Sequence, residues 1–392
     1  MSQQSSGKPM GKRLVVCCDG TWNTPDERSE GVRAPTNVSK IALGVADHDG
    51  DATPQLVHYQ RGVGTRRLER FTGGAFGYGL SRNVRDCYRF LVEHYEPGDE
   101  LYLFGFSRGA YTARSIAGFI RNCGIVRPEH RDRIDEAYDL YRSRADRHKP
   151  SAIASRTFRR TYAHEDETRV ELIGVWDTVG ALGIPVGGLR PVLVGRYWGF
   201  HDTRLSPSVS TAYQALAIDE QRGPFTPTLW TCHPAAAGQI VEQVWFAGVH
   251  RDVGGGYKAP ELSEIALLWM VERAAARGLA FAPDHFQLAA KPPPARDRWR
   301  GRRLVPDPLG PIHDSRKRWY RLLRRHPRQL GDGQSAASSA VERLHALPGY
   351  RPPSLVTWVA AGRRATPVPD AREAVHGATP LRREPATQAG AL

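Results

Sequence analysis

Gly105-Phe-Ser-Arg-Gly109 constrains the possible folds of this chain more than any other stretch. It sets Ser107 in a G-x-S-x-G pattern, directly after an apolar strand-like run at 100–105 and before a helix-like segment at 108–122. Strand, sharp turn and helix is the context in which this pattern becomes a nucleophile elbow. The turn holds the serine in a strained backbone conformation. Side chains larger than hydrogen at 105 and 109 would collide with the strand or the helix. The hydroxyl is then left exposed at the top of a sheet, where a substrate carbonyl can reach it. The chain therefore reads as a serine hydrolase.

The rest of the sequence repeats the same local event. Apolar runs at 13–18, 55–59, 169–176 and 241–249 read as strands. Helical patterns at 36–45, 80–95 and 261–277 alternate with them, the last with Leu262, Ile265, Leu268 and Trp269 at helical spacing. A glycine-rich stretch at 72–79 reads as a loop. Alternating strands and helices predict an α/β-hydrolase-like fold, a mostly parallel sheet with helices on both faces and lid-like insertions. Asp19, Ser107, Asp177 and His250 each fall just past the C-terminal end of a strand. Open parallel sheets bind their ligands at that edge.

A serine hydroxyl is a weak nucleophile until an imidazole takes its proton, and the imidazole needs a carboxylate to fix its tautomer. In this fold class the chain order is Ser, acid, His. Asp177 and His250 satisfy that order and are the preferred pair. Asp252 with His313 also satisfies it and stays open as the alternative. The oxyanion needs backbone N–H donors. Arg108 follows the nucleophile, and Gly20 or Thr21 in Asp19-Gly-Thr21 is the candidate for a second donor. A metal site built from Asp19, Asp177, His250 and Asp252 is the lesser alternative, and neither a metal nor a cofactor is expected. Asp19-Gly-Thr21 resembles part of a phosphatase pattern, but Cys17 stands where that pattern needs its nucleophilic Asp. The 72–79 loop lacks the Gly-Lys-Ser/Thr ending of a phosphate-binding loop.

Composition bounds the rest. The 392 residues suit one large α/β domain with insertions, and 40% of them are hydrophobic. The expected organisation is a disordered N-terminus (1–11), a hydrolase domain (12–328) and a low-complexity, largely disordered tail (329–392). The insertions fall at about 128–164 and 181–234, the second being the better lid candidate. Five scattered cysteines form no metal or CxxC pattern, which points to a reducing compartment. The polar N-terminus lacks the apolar core of a signal peptide, so a cytoplasmic protein is expected, with export by a route without a cleaved signal left open. The net charge of +14 is concentrated at 121–160 and 296–328. It fits either a solvated arginine-rich surface or peripheral contact with an anionic membrane. Nucleic acid is disfavoured, because the arginines are not interleaved with aromatics. Oligomeric state is not legible.

Taken together, five blocks resemble one family: Val16-Cys-Cys-Asp-Gly-Thr-Trp-Asn23, Gly105-Phe-Ser-Arg-Gly-Ala-Tyr-Thr-Ala-Arg114, Gly174-Val-Trp-Asp-Thr-Val-Gly180, Ala215-Leu-Ala-Ile-Asp-Glu220 and Trp245-Phe-Ala-Gly-Val-His-Arg-Asp-Val-Gly-Gly-Gly-Tyr257. They are similar to the α/β-hydrolase domain of type VI secretion phospholipase effectors. The resemblance spans roughly residues 11 to 275. It implies an esterase or lipase fold with Ser107 as nucleophile and Asp177 and His250 as acid and base. For some members it implies phospholipase activity. The expected substrate is a lipid or phospholipid acyl ester. A small-molecule carboxylester, or a non-catalytic protein docking an anionic surface, is the alternative.

Overall fold

The computed structural model describes residues 11–369 apart from 22, 25, 64–72, 181–204, 232–235, 289–302, 318–319 and 322, and gives no side-chain detail for 73–78. In chain order its strands are β1 (Arg13–Cys18), β2 (Arg28–Ser29), β3 (Val32–Arg33), β4 (Gln55–Gln60), β5 (Glu100–Phe106), β6 (Val170–Trp176), β7 (Val209–Ala217), β8 (Ile240–Phe246) and β9 (Ser335–Ala336). The α-helices used below are α1 (Asn37–Gly44), α2 (Gly73–His94), α3 (Arg108–Cys123), α4 (Ile134–Arg142), α5 (Ile153–Tyr162), α6 (His250–Gly254), α7 (Glu261–Ala275), α8 (Ser338–Ala346) and α9 (Pro353–Ala360). Seven strands form one sheet in the order β4-β1-β5-β6-β7-β8-β9, every pair parallel. β2 and β3 form a small separate hairpin.

β1 shows why such a sheet is buried on both faces. All six of its residues are buried. Leu14, Val16 and Cys18 enter the core under α2 and α3, while Val15 and Cys17 enter the opposite core under α1 and α7. Successive side chains of a strand point to opposite faces, and a parallel sheet carries helices on both. The register then sets the functional edge. Cys18 pairs with both Gln60 and Gly105, and Phe106 pairs with Trp176. Asp19, Ser107 and Asp177 therefore leave the sheet at the same end.

Three expectations needed correction. The glycine-rich stretch at 72–79 is helical from Gly73, as the first turns of α2. A Cβ on Gly79 would lie 2.5 Å from Val63 Cγ1, so a glycine here permits close helix packing rather than a loop. The 181–234 insertion contains β7, a central strand buried along its whole length. Its polar residues concealed it, yet each has a partner. Ser210 Oγ accepts from Arg169, Thr211 Oγ donates to the Glu171 carbonyl, and the Gln214 amide donates to the Thr228 carbonyl. The expected lid residues 181–204 lie outside the described residues.

The third correction concerns the tail. Residues 335–369 are folded onto the sheet: β9 extends it beside β8, and α8 and α9 bring Ala340, Leu344, Leu355 and Trp358 into the core. Alanine-rich composition reads as low complexity, but here small side chains let a helix pack closely. Residues 1–10 and 370–392 lie outside the described residues. The 128–164 insertion supplies α4 and α5, whose Ile134, Ala137, Tyr138 and Phe158 join the core on the α2–α3 face. No helix among the described residues is long and apolar enough to cross a membrane.

Candidate active site

The turn between β5 and α3 carries Ser107 with φ 58° and ψ −117°. A non-glycine residue in this region is strained and is held there only by its surroundings. Its amide donates to the Trp176 carbonyl at 3.0 Å, and its carbonyl accepts from the Tyr111 amide at 3.3 Å. A Cβ on Gly109 would stand 2.0 Å from the Cys18 carbonyl oxygen, and one on Gly105 2.5 Å from the Gly109 carbonyl oxygen. The two flanking glycines thus let β5, the turn and α3 close against each other and against β1. The positive end of the α3 dipole lies at the serine.

Two strand ends supply the partners. Asp177 follows β6 with φ 43° and is fully buried. His250 opens α6, four residues after β8 ends at Phe246. Ser107 Oγ and His250 Nε2 are 2.9 Å apart, and His250 Nδ1 is 2.5 Å from Asp177 Oδ2. The imidazole is enclosed by Phe106 and Phe225, at ring separations of 4.7 and 4.9 Å. A Cβ on Gly254 would lie 1.9 Å from the Phe106 ring, so a glycine there lets α6 seat against β5. The His250 backbone N–H donates to Glu220, whose carboxylate pairs with Arg222 at 2.7 Å and accepts from Ser315.

Charge at the site is balanced by a residue the sequence reading missed. Arg328 donates to both oxygens of Asp177, at 2.5 and 3.0 Å, and Oδ1 also accepts from the Ala217 amide at 3.1 Å. Burial by itself raises the Asp177 carboxyl, but Arg328 first and His250 second outweigh it and hold the group well below the usual carboxylate range. Burial pushes the His250 imidazole below its ordinary value, against the opposing pull of Asp177. The site therefore rests with an ionised acid and a neutral base.

Asp19 organises the neighbouring loop. Its carboxylate accepts from Gly20 N (2.6 Å), Thr36 Oγ (2.7 Å), Ser39 Oγ (2.9 Å) and Tyr59 Oη (2.5 Å). Burial raises its pKa, and these donors oppose the shift. Thr36 is also the N-cap of α1, so the helix start and the loop share one anchor. Gly20 adjoins the nucleophile: a Cβ there would come 3.3 Å from Ser107 Cβ. Its amide is already committed to Asp19, which removes Gly20 as an oxyanion donor and leaves Thr21 as the loop's candidate beside Arg108.

The structure does join Asp252 to His313, Oδ1 to Nδ1 at 2.6 Å, with the His313 ring stacked on Tyr257. The imidazole bonded to Ser107, however, is that of His250. Asp252 Oδ2 accepts from the Val249 and His313 amides, so this pair fastens the start of α6 to the C-terminal segment. The four residues considered for a metal site face different partners. Asp19 faces Tyr59, Thr36 and Ser39; Asp177 faces Arg328 and His250; Asp252 faces His313. A cavity of about 580 Å³ behind this region is lined by Asp219, Val249, His313, Arg316, Arg321 and Arg325 among others; Ser107 is not among its lining residues.

Residues 12–273 match the family model described as "T6SS, Phospholipase effector Tle1-like, catalytic domain". The chain belongs to this family. Its parallel, helix-covered sheet is α/β-hydrolase-like. The matched span contains Ser107, Asp177 and His250 and stops short of His313 and Arg328. A curated relative, the uncharacterized Saccharomyces cerevisiae protein YEL023C, is 28% identical over 250 residues, covering 59% of this chain and 34% of that protein. The chain thus spans about a third of that relative's length. Among solved structures, the Tle1 effector bound to the VgrG spike of the type 6 secretion system aligns at 18% identity and a TM-score of 0.38, over 63% of this chain and 51% of that one. An uncharacterized Pseudomonas aeruginosa protein aligns at 16% and 0.40 over 69% and 46%, and Thermogutta terrifontis esterase 2 at 14% and 0.36 over 70% and 88%.

Proposed function

We propose that this protein hydrolyses carboxylic esters by a Ser107–His250–Asp177 triad, with a lipid or phospholipid acyl ester as substrate. The observation that carries the reading is the continuous hydrogen-bond line from Ser107 Oγ through His250 to Asp177, at 2.9 and 2.5 Å. His250 Nε2 takes the hydroxyl proton as Ser107 Oγ bonds to the ester carbonyl carbon. The carbonyl oxygen becomes an oxyanion, stabilised by the Arg108 and Thr21 amides at the positive end of α3. Collapse breaks the bond to the alcohol, which leaves with the proton from His250 and an acyl group on Ser107. Water, deprotonated by the same imidazole, attacks the acyl-enzyme; the acid departs and Ser107 recovers its proton. Asp177 stabilises the imidazolium at each transfer.

The lipid substrate is supported by family membership. The +14 charge supports peripheral contact with an anionic membrane surface. Labelling by a fluorophosphonate probe tests the mechanism: wild type is labelled, and Ser107→Ala is not. Folded wild-type protein that resists the probe sinks the enzymatic reading and favours a non-catalytic docking protein. Product analysis on mixed phospholipids and short acyl esters then separates a phospholipase from a small-molecule esterase.

A further inference from the structure

Arg328 brings a full positive charge to the floor of the site, yet it is only 7% exposed and lies beyond the matched family span. Its two terminal nitrogens grip both oxygens of Asp177 and also donate to the Ala217 and Phe225 carbonyls. A guanidinium is held in such a place only by planar, bidentate, well-bonded geometry. A structural ion pair could form with any buried acid. This one forms with the carboxylate that holds His250.

We propose that Arg328 is a positioning residue of the triad: it clamps the Asp177 carboxylate so that one fixed oxygen faces His250, and it makes that acid half of an ion pair rather than a bare anion. The proposal rests on the reading of Ser107, His250 and Asp177 as a triad.

The clamp has two effects. With Oδ1 tied by Arg328 and the Ala217 amide, the carboxylate plane cannot turn, so Oδ2 stays on His250 Nδ1 and the Nε2 lone pair stays on Ser107. The second effect is on charge. A bare buried carboxylate draws a proton onto an adjacent imidazole, and the guanidinium cancels most of that pull. Among the described residues, the other charged groups facing His250 are Glu220 and Arg222, which pair with each other. On α6 itself, Arg251 turns to Glu27 and Asp252 to His313. Removing Arg328 alone therefore leaves one uncancelled negative charge beside the base.

The test is the pH profile of kcat/KM on a short-chain p-nitrophenyl ester for wild type, Arg328→Met and Arg328→Lys. In Arg328→Met the acid limb is expected to move up by about one pH unit or more. Arg328→Lys keeps the charge and loses the fork, so its acid limb stays in place while kcat falls about ten- to a hundredfold. An unmoved limb in folded Arg328→Met overturns the proposal. If Arg328→Met does not fold, Arg328→Lys decides. An unchanged kcat, together with an unchanged downfield proton resonance from the His250–Asp177 hydrogen bond, overturns it. Fluorophosphonate labelling of the same samples separates the two levels. Unlabelled wild type refutes the triad and this proposal with it; labelled wild type with an unmoved limb refutes only the role of Arg328.

Discussion

Ser107 owes its strained backbone to its neighbours, and Gly109 is the most exacting of them. A Cβ there meets the carbonyl oxygens of Cys18 and Asp19 at 2.0 and 2.5 Å, backbone that can yield only if β1 and α3 separate. Gly109→Ala is expected to destabilise the protein by about 1–3 kcal/mol, read as a lower denaturant midpoint, and to cut probe labelling of Ser107. His250 gives a prediction with a definite sign. Its folded pKa is below 6.5 because of burial, so it remains a neutral base in mild acid. The acid limb of kcat/KM should therefore lie below pH 6.5; a limb at or above neutrality contradicts this. Stability follows the same direction. Folded His250 and Asp177 bind fewer protons than their unfolded counterparts, so this contribution is full above about pH 6.5 and is lost as pH falls below it. The two histidines are separable by mutation. His250→Ala should lower kcat by about 10⁴-fold or more. His313→Ala should keep most of the activity, because its ring reaches Asp252 and Tyr257 rather than Ser107. Loss of activity in His313→Ala alone would reverse that assignment.

At the level of elements, legibility followed the chemistry of each face. β1, β5 and β6 are almost wholly apolar, and their strand character shows at once. β7 is equally buried, but its Ser210, Thr211 and Gln214 look like loop residues until they are seen bonded to Arg169, Glu171 and Thr228. The α8–α9 region is hidden by its surroundings: Gly, Ser, Ala and Pro crowd the flanking sequence, although the helices bury Leu344, Leu355 and Trp358 against the sheet. Trp358 is only 4% exposed. Trp358→Ala should therefore cost about 3–5 kcal/mol in equilibrium unfolding. A disordered tail, by contrast, would tolerate the change without a measurable shift. Because β9 pairs with the edge of β8, loosening this region also uncovers a strand edge prone to association.

For the whole molecule, the net charge of +14 bears on where the protein acts more than on how it is built. Co-sedimentation with phosphatidylglycerol-containing vesicles is expected at low salt. It should weaken as ionic strength passes about 0.15 M, where screening acts over about 8 Å. Equal binding to neutral vesicles, or none at low salt, would assign the charge to a solvated surface instead. The parallel sheet, the strand-end positions of Asp19, Ser107, Asp177 and His250, and the glycines of the elbow were all determined by sequence alone. Each depends on a few adjacent residues, and local sterics and periodicity report such patterns directly. Only the tertiary structure decided which histidine meets Ser107. It also showed that the Gly20 amide is already taken by Asp19, and that Asp177 is shared with Arg328, 151 residues away in the chain. Those contacts join segments with no sequence relation to one another. A buried charge reveals its partner only when the fold has brought the two together and removed the water between them.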